Sequence, residues 1–182
     1  PQNLLDATIF FDFRNLYGDD DLANTLRNTV STLINNNSLF FYHLAHNTAN
    51  IKPPHISSGN IISDKNADLI DLKNALQPII MFARTYALKN NIWCTNTIDR
   101  LEALKYKQII SANTADEIIF VYNYLMKLRL KNQIELSDNN QPMSNTFNTK
   151  RLIDLELAFL KKMLSLIPVY QNKISADFRI ST

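Results

Sequence analysis

The sequence predicts an all-α protein: an antiparallel bundle of four main helices, preceded by a helical pair and a short strand-like or hairpin segment. Three observations carry this. Gly18 and Gly59 are the only glycines in 182 residues, too few for many strands joined by tight turns that need positive φ. Apolar residues recur at spacings of three and four through most of the second half, the period of one helical face. Pro53-Pro54 and Pro142 fall between the periodic runs, where a missing N–H and a fixed φ break a helix.

Taken in order, residues 7–14 (Ala-Thr-Ile-Phe-Phe-Asp-Phe-Arg) are aromatic and β-branched and read as a strand, with Gly18-Asp19 as its stop. A short helix is the alternative. A helix over 21–35 follows. Asp19 to Asp21 cap it and suit its positive dipole end, and Leu22, Leu26, Val30, Leu33 and Ile34 make its apolar stripe. A second helix spans 38–50. Residues 51–72 are the least helical, and Ile56–Ile62 with Asp68–Leu72 suggest a hairpin or ordered loop. From about 74 a helix carries Leu76, Ile79, Ile80, Ala83, Ala87 and Leu88, with Pro78 expected in its first turn. Helices over 97–108, capped by Thr95 or Thr97, and 114–134, capped by Thr114, come next. After a polar loop, 137–148, the last helix starts near Thr149 and runs to about 167, or past Pro168 to 178.

Composition excludes whole classes. A formal net charge of +2 is too balanced for a protein that coats duplex nucleic acid. One cysteine, Cys94, leaves no disulfide framework within the chain and no multi-cysteine zinc site. Too few glycines remain for a dinucleotide fingerprint, and the phosphate loop and the nucleophile elbow are absent. No stretch of about 18 apolar residues predicts a membrane span and no signal peptide is visible, so the expected compartment is the cytoplasm. The chain opens on Pro1 rather than Met, which reads as a fragment of a longer protein.

The chemistry-bearing residues each have two readings. Asp19, Asp20 and Asp21 are a helix N-terminus or part of a divalent-metal site. Asp12, inside the apolar run Phe11-Asp12-Phe13, needs a partner: Arg14 in a structural ion pair, or a metal. His43 and His46 lie one turn apart, and only His55 remains as a third ligand, so packing or surface roles fit better. Cys94 reads as an inert thiol. Asp71, Lys73, Arg84, Arg100, Lys127, Arg129 and Lys131 come from segments that a bundle brings together. A guanidinium near an apolar stripe either pairs with a carboxylate or stands in a groove for a phosphate or acid. Asp99, Asp116, Glu117, Asp154 and Glu156 are the internal partners considered.

These residues also carry a resemblance. Residues 4–14 with Tyr17-Gly18-Asp19, Pro53-Pro54, Asp71-Leu72-Lys73, Gln77-Pro78-Ile79-Ile80, Ala83-Arg84 and Ala87-Leu88 resemble, in order and spacing, the C-terminal domain of the DUF294 nucleotidyltransferases. Residues 97–101, 128–133, Leu160-Lys161 and Gln171 continue the likeness over nearly the whole chain. The sequence departs from the family pattern at His55 to Ser58 and at Asn74-Ala75, where the family has more glycine.

The resemblance implies an all-helical substrate-binding domain in a signalling protein. Residues 1–20 would be the end of, or a linker from, a nucleotidyltransferase core, and 21–182 the helical domain. The superfamily's core carries a Gly-Ser loop with an Asp-x-Asp pair; that combination is not found here, so the chain by itself is not expected to be an enzyme. Phe11-Asp12-Phe13 resembles the superfamily's third acidic strand, which makes Asp12 the catalytic candidate. Asp71, Lys73, Arg84, Arg100 and Arg129 are the candidates for nucleotide or acceptor. No metal ligand is expected in this chain; Mg²⁺ or Mn²⁺ would belong to the core. The implied partners are that core, a nucleoside triphosphate and a protein acceptor, with no membrane and no specific nucleic acid; a homodimer is a further expectation. The alternative function is a helical protein-interaction or dimerisation module without a ligand site.

Overall fold

The computed structural model describes residues 11–63 and 68–180. Six helices dominate: α1 (Asp20–Asn35), α2 (Ser38–Ala49), α3 (Leu72–Lys89), α4 (Thr97–Tyr106), α5 (Ala112–Asp138) and α6 (Asp154–Asp177). The strands β1 (His55–Ser57), β2 (Asn60–Ile62), β3 (Leu69–Asp71) and β4 (Thr146–Asn148) make two antiparallel pairs, β1 with β2 and β3 with β4. No helix among the described residues is long and apolar enough to cross a membrane.

The caps come from the residues that turn chemistry favours. Asp19 accepts from the Asp21 N–H at 2.8 Å and starts α1. Asn37 accepts from Phe40 N–H at 3.0 Å and starts α2. Two expected caps shift. Asn96, not a neighbouring threonine, accepts from Ile98 N–H at 2.8 Å, and Ser111, not Thr114, accepts from Thr114 N–H at 3.1 Å. In each case a side-chain oxygen next to the expected one reaches the unpaired donors. Residues 149–151 form a 3₁₀ turn rather than the first turn of α6.

The helix α3 is the hub. Buried residues lie all round it, and α2, α4, α5 and α6 pack on it, as expected of a helix apolar on every side. Phe82, Leu76 and Ile79 meet Leu101 and Leu104 of α4, Ile118 and Leu125 of α5, and Leu160 and Leu164 of α6 in one core. Pro78 sits well inside α3 rather than in its first turn. Its missing N–H leaves the Asn74 carbonyl without its usual donor, and the packing of α3 on four neighbours sustains the helix across that gap. Pro168 is likewise interior to α6, which runs on to Asp177.

A smaller core joins Phe11, Val30, Ile34, Phe41, Leu44, Met81 and Leu88. Only Val30 and Ile34 of the α1 stripe are used there. Val30 and Ile34 are buried, whereas Leu22 and Leu33 are 72% and 68% exposed and Leu26 is exposed as well. Residues 11–14 form a turn and irregular chain instead of a strand; the rest of that predicted run lies outside the described residues. Gln171 on α6 ties α2 to the bundle, its side-chain amide donating to the carbonyls of Thr48, Ala49 and Ile51 at 3.1, 3.2 and 2.8 Å. The hairpin expected around 56–62 is β1–β2, turning at Ser58 and Gly59 with φ of 49° and 78°, where glycine is favoured. The segment 68–72 pairs with β4 instead, so Asp71 lies opposite Thr146.

Candidate functional site

The candidate residues fall into two groups at opposite ends of α3. From Asp71 to Arg84 the helix climbs about 20 Å at 1.5 Å per residue, too far for one small ligand to touch both.

At the C-terminal end, Arg84 of α3 and Arg100 of α4 grip the two carboxylate oxygens of Asp12. The expected partner, Arg14, is exposed, and the arginines' partner is not one of the five acids considered from the sequence. Asp116 pairs with Lys105 at 2.5 Å, and Glu117 accepts from the Tyr170 hydroxyl at 3.1 Å. Arg100 is 2% exposed, and its Nε donates to the Cys94 carbonyl at 2.6 Å. Arg84 is 12% exposed, with Nη1 3.4 Å from the Met81 sulfur and Nε buried without a partner. Two guanidiniums face one carboxylate, so the clasp keeps one uncompensated positive charge. Charge-assisted bonds of this kind are strong, but most of their Coulombic gain offsets desolvation. Phe11 in the smaller core and Arg27 over the Phe13 ring, 5.3 Å from its centroid, position Asp12 from either side.

Near this end, the Tyr86 hydroxyl donates to Asp177 at 2.5 Å. Burial, then the hydrogen bond and charge of Asp177, raise the Tyr86 pKa far above its ordinary value. Burial pushes the Asp177 carboxyl up, but hydrogen bonds from Tyr86 and Lys173 and the charges of Lys173 and Lys89 outweigh it and hold it below its ordinary value.

The other end is built from hydrogen bonds that are neutral or carry a charge on one partner only. Asp71 caps α3, accepting from Lys73 and Asn74 N–H at 2.9 and 3.1 Å. The Leu72 N–H donates to the Asn145 carbonyl at 2.9 Å. Asn145 Oδ1 accepts from Arg129 Nε at 2.8 Å and from Gln133 at 3.4 Å. Buried Asn132 donates to the carbonyls of Ser144 and Thr146 at 3.3 and 3.2 Å. No carboxylate pairs with Arg129 among the described residues. Lys73 is exposed beside its cap. Asn145 and Asn132 are polar neighbours outside the candidate set; Asn132 lies in the 128–133 stretch that carries the resemblance, whereas Asn145, in an asparagine-rich chain, stands out by no local signal.

Beyond Arg129, an open groove of about 610 Å³ runs between α5 and the start of α6. Leu128, Phe147 and Leu152 contribute its apolar surface, and Lys127 and Lys131 line it from α5. Neither lysine has a carboxylate partner among the described residues. Arg151 pairs with Glu135 at the far end.

A divalent metal needs several oxygen or nitrogen ligands. No group of three or more His, Cys, Asp or Glu side chains comes together among the described residues, and Asp12 is already held by two guanidiniums. The described residues do not fit a metal site. His46 bonds with Asn50 at 3.2 Å and stacks near Tyr42. His55 stands apart on β1.

The fold is predominantly helical, with a hub helix whose ends carry polar clusters of different kinds. Residues 38–178 match the model of the DUF294_C family, described as "Putative nucleotidyltransferase substrate binding domain". The chain belongs to that family. No curated protein and no solved structure matches it.

Proposed function

We propose that this chain is the substrate-binding part of a nucleotidyltransferase that acts in signalling in the cytoplasm, alongside a catalytic core of the same polypeptide. The observation that carries this is the clasp: Arg84 and Arg100 of the helical domain both reach Asp12, the acid in the segment that resembles the superfamily's third acidic strand. Two arginines of the binding domain would thus stand beside a catalytic carboxylate, and their excess positive charge suits an incoming triphosphate. Mg²⁺ or Mn²⁺ would be held by the core, since no cluster of metal-ligating side chains forms among the described residues. Asp71, Lys73 and Arg129, about 20 Å away along α3, suit an acceptor large enough to span that distance, which favours a protein.

A thermal-shift titration of the chain with each nucleoside triphosphate, with and without Mg²⁺, tests the nucleotide contact. A ligand at ~100 times its Kd that binds only the folded state adds about 2.7 kcal/mol, a rise of roughly 5–10 °C for a domain of this size. Arg84→Lys keeps the charge but loses the planar fork and is expected to abolish the rise. An unchanged Tm with all four nucleotides removes nucleotide binding from this domain.

The second reading, a helical interaction module, is favoured by the exposed leucines of α1, which lie on a helix otherwise packed on α2.

A further inference from the structure

The fold leaves two unpartnered surfaces that match each other. The first is on α1. Leu22, Leu26, Thr29 and Leu33 are spaced four, three and four apart, the repeat of a helix-packing seam, and all four are exposed. Asp20 and Asp21 flank the N-terminal end of that seam. The second is the α5–α6 groove. Along α5, Phe120, Tyr124, Lys127, Lys131 and Ile134 follow the same repeat. Phe120 and Ile134 are exposed, and across the groove Leu155 is 76% exposed.

The two surfaces agree in length, in chemistry and in charge. Leu22 to Leu33 and Tyr124 to Glu135 each cover eleven residue steps, about 16 Å of helix. One surface is a leucine seam with an acidic end. The other has an apolar floor, an aromatic end, where Tyr124 and Phe159 meet edge to face at 4.9 Å and Glu156 accepts from the Ile153 N–H, and an end that is basic through Lys127 and Lys131, since Glu135 there is paired with Arg151. Matching acid to base sets the N-terminus of α1 beside Lys131. That direction is antiparallel to α5 and aligns the two helix dipoles favourably.

We propose that α1 of one copy of this chain docks antiparallel to α5 in the α5–α6 groove of a second copy, and reciprocally. Leu22, Leu26 and Leu33 fill the groove from the basic to the aromatic end, and Asp20 and Asp21 meet Lys127 and Lys131. A helix some 24 Å long and 10–12 Å wide covers on the order of 600 Å² in one such contact, counting both partners. That is too little for a stable interface, whereas the reciprocal pair, on the order of 1,200 Å², reaches the lower bound. The arrangement therefore closes as a two-fold dimer of modest, micromolar affinity. It gives the interaction-module reading a partner and is independent of the arginine clasp: nucleotide binding and self-association are measured separately and can fail separately.

Sedimentation velocity of the full 182-residue chain over ~1 to ~200 μM tests it. A concentration-dependent monomer–dimer equilibrium is expected. The pair Leu22→Asp with Leu33→Asp, at highly exposed positions, and the pair Lys127→Glu with Lys131→Glu should each raise the dimer Kd more than ~10-fold with unchanged circular dichroism. Adding Asp20→Lys and Asp21→Lys to the lysine pair should recover much of that loss. A chain monomeric throughout, a dimer indifferent to both pairs, or assemblies larger than a dimer would overturn the proposal.

Discussion

The two ends of α3 solve the same problem in opposite ways. Each must attach a distant segment to the hub helix. At the C-terminal end, one buried and one largely buried cation close on one carboxylate of an N-terminal segment. At the N-terminal end, asparagine side chains hold β4 and Arg129 through neutral or singly charged bonds. Losing one partner of a buried charge network leaves an uncompensated charge, which costs far more than the intact network contributes. Losing one amide leaves a dipole, a smaller penalty. The clasp should therefore be brittle and its counterpart tolerant.

Removing Asp12 is the severest way to break that contrast. Asp12→Ala leaves Arg84 and Arg100 facing each other with no counter-charge, and should cost about 3–5 kcal/mol. Calorimetry should record a Tm lower by roughly 6–20 °C. A loss under about 1 kcal/mol would place this end on the same footing as the other.

Asn132 is the equivalent test at the tolerant end. Its side chain is nearly inaccessible and holds two carbonyls of the β4 segment. Asn132→Ala should cost about 1–3 kcal/mol in urea denaturation, less than Asp12→Ala. Asp71→Ala removes a cap bonded to two N–H groups and should cost ~1 kcal/mol. If Asp71 has no role beyond capping, Asp71→Ser should recover most of it.

The smallest effect sharpens the comparison through pH. Asp177 has a lowered folded-state pKa, so its contribution is present above the unfolded carboxylate pKa of ~3.9 and is lost as pH falls through the folded value. The Tm difference between the wild type and Asp177→Asn should be visible near neutrality and shrink below about pH 4. A difference that stays constant into acid would mean that the ionised carboxylate contributes nothing.

Much of the helical order was legible from local signals. The period of three and four located α2 and α3 to within a residue or two at each end, and α5 less closely, because amphipathic stripes and caps are properties of neighbouring residues. The Ser58-Gly59 turn announced itself by its glycine. Family membership was legible in the order and spacing of short motifs. Pairing across distance was not. Asp12 looked toward Arg14 because strand alternation would put them on one face; with no strand there, it reaches arginines 72 and 88 residues away. The split of the five candidate residues into two groups was equally hidden. A linear sequence reports that Asp71 lies just before the helix that carries Arg84, but not that the helix is a hub whose ends serve different neighbours. The α1 stripe was read correctly as apolar, but a period does not say which of its residues find a neighbour: Val30 and Ile34 do, and Leu22, Leu26 and Leu33 do not.

The Gln171 amide that ties down α2 has a consequence for synthesis. It reaches carbonyls 120 to 123 residues earlier in the chain, so those of Thr48, Ala49 and Ile51 wait for their donor until α6 has left the ribosome. Closing so long a loop carries an entropic cost that local helices do not have, and non-local closures slow folding. The helix α2 can pack on α3 before then, but among the described helices it is α6, made after the other five, that satisfies these three carbonyls.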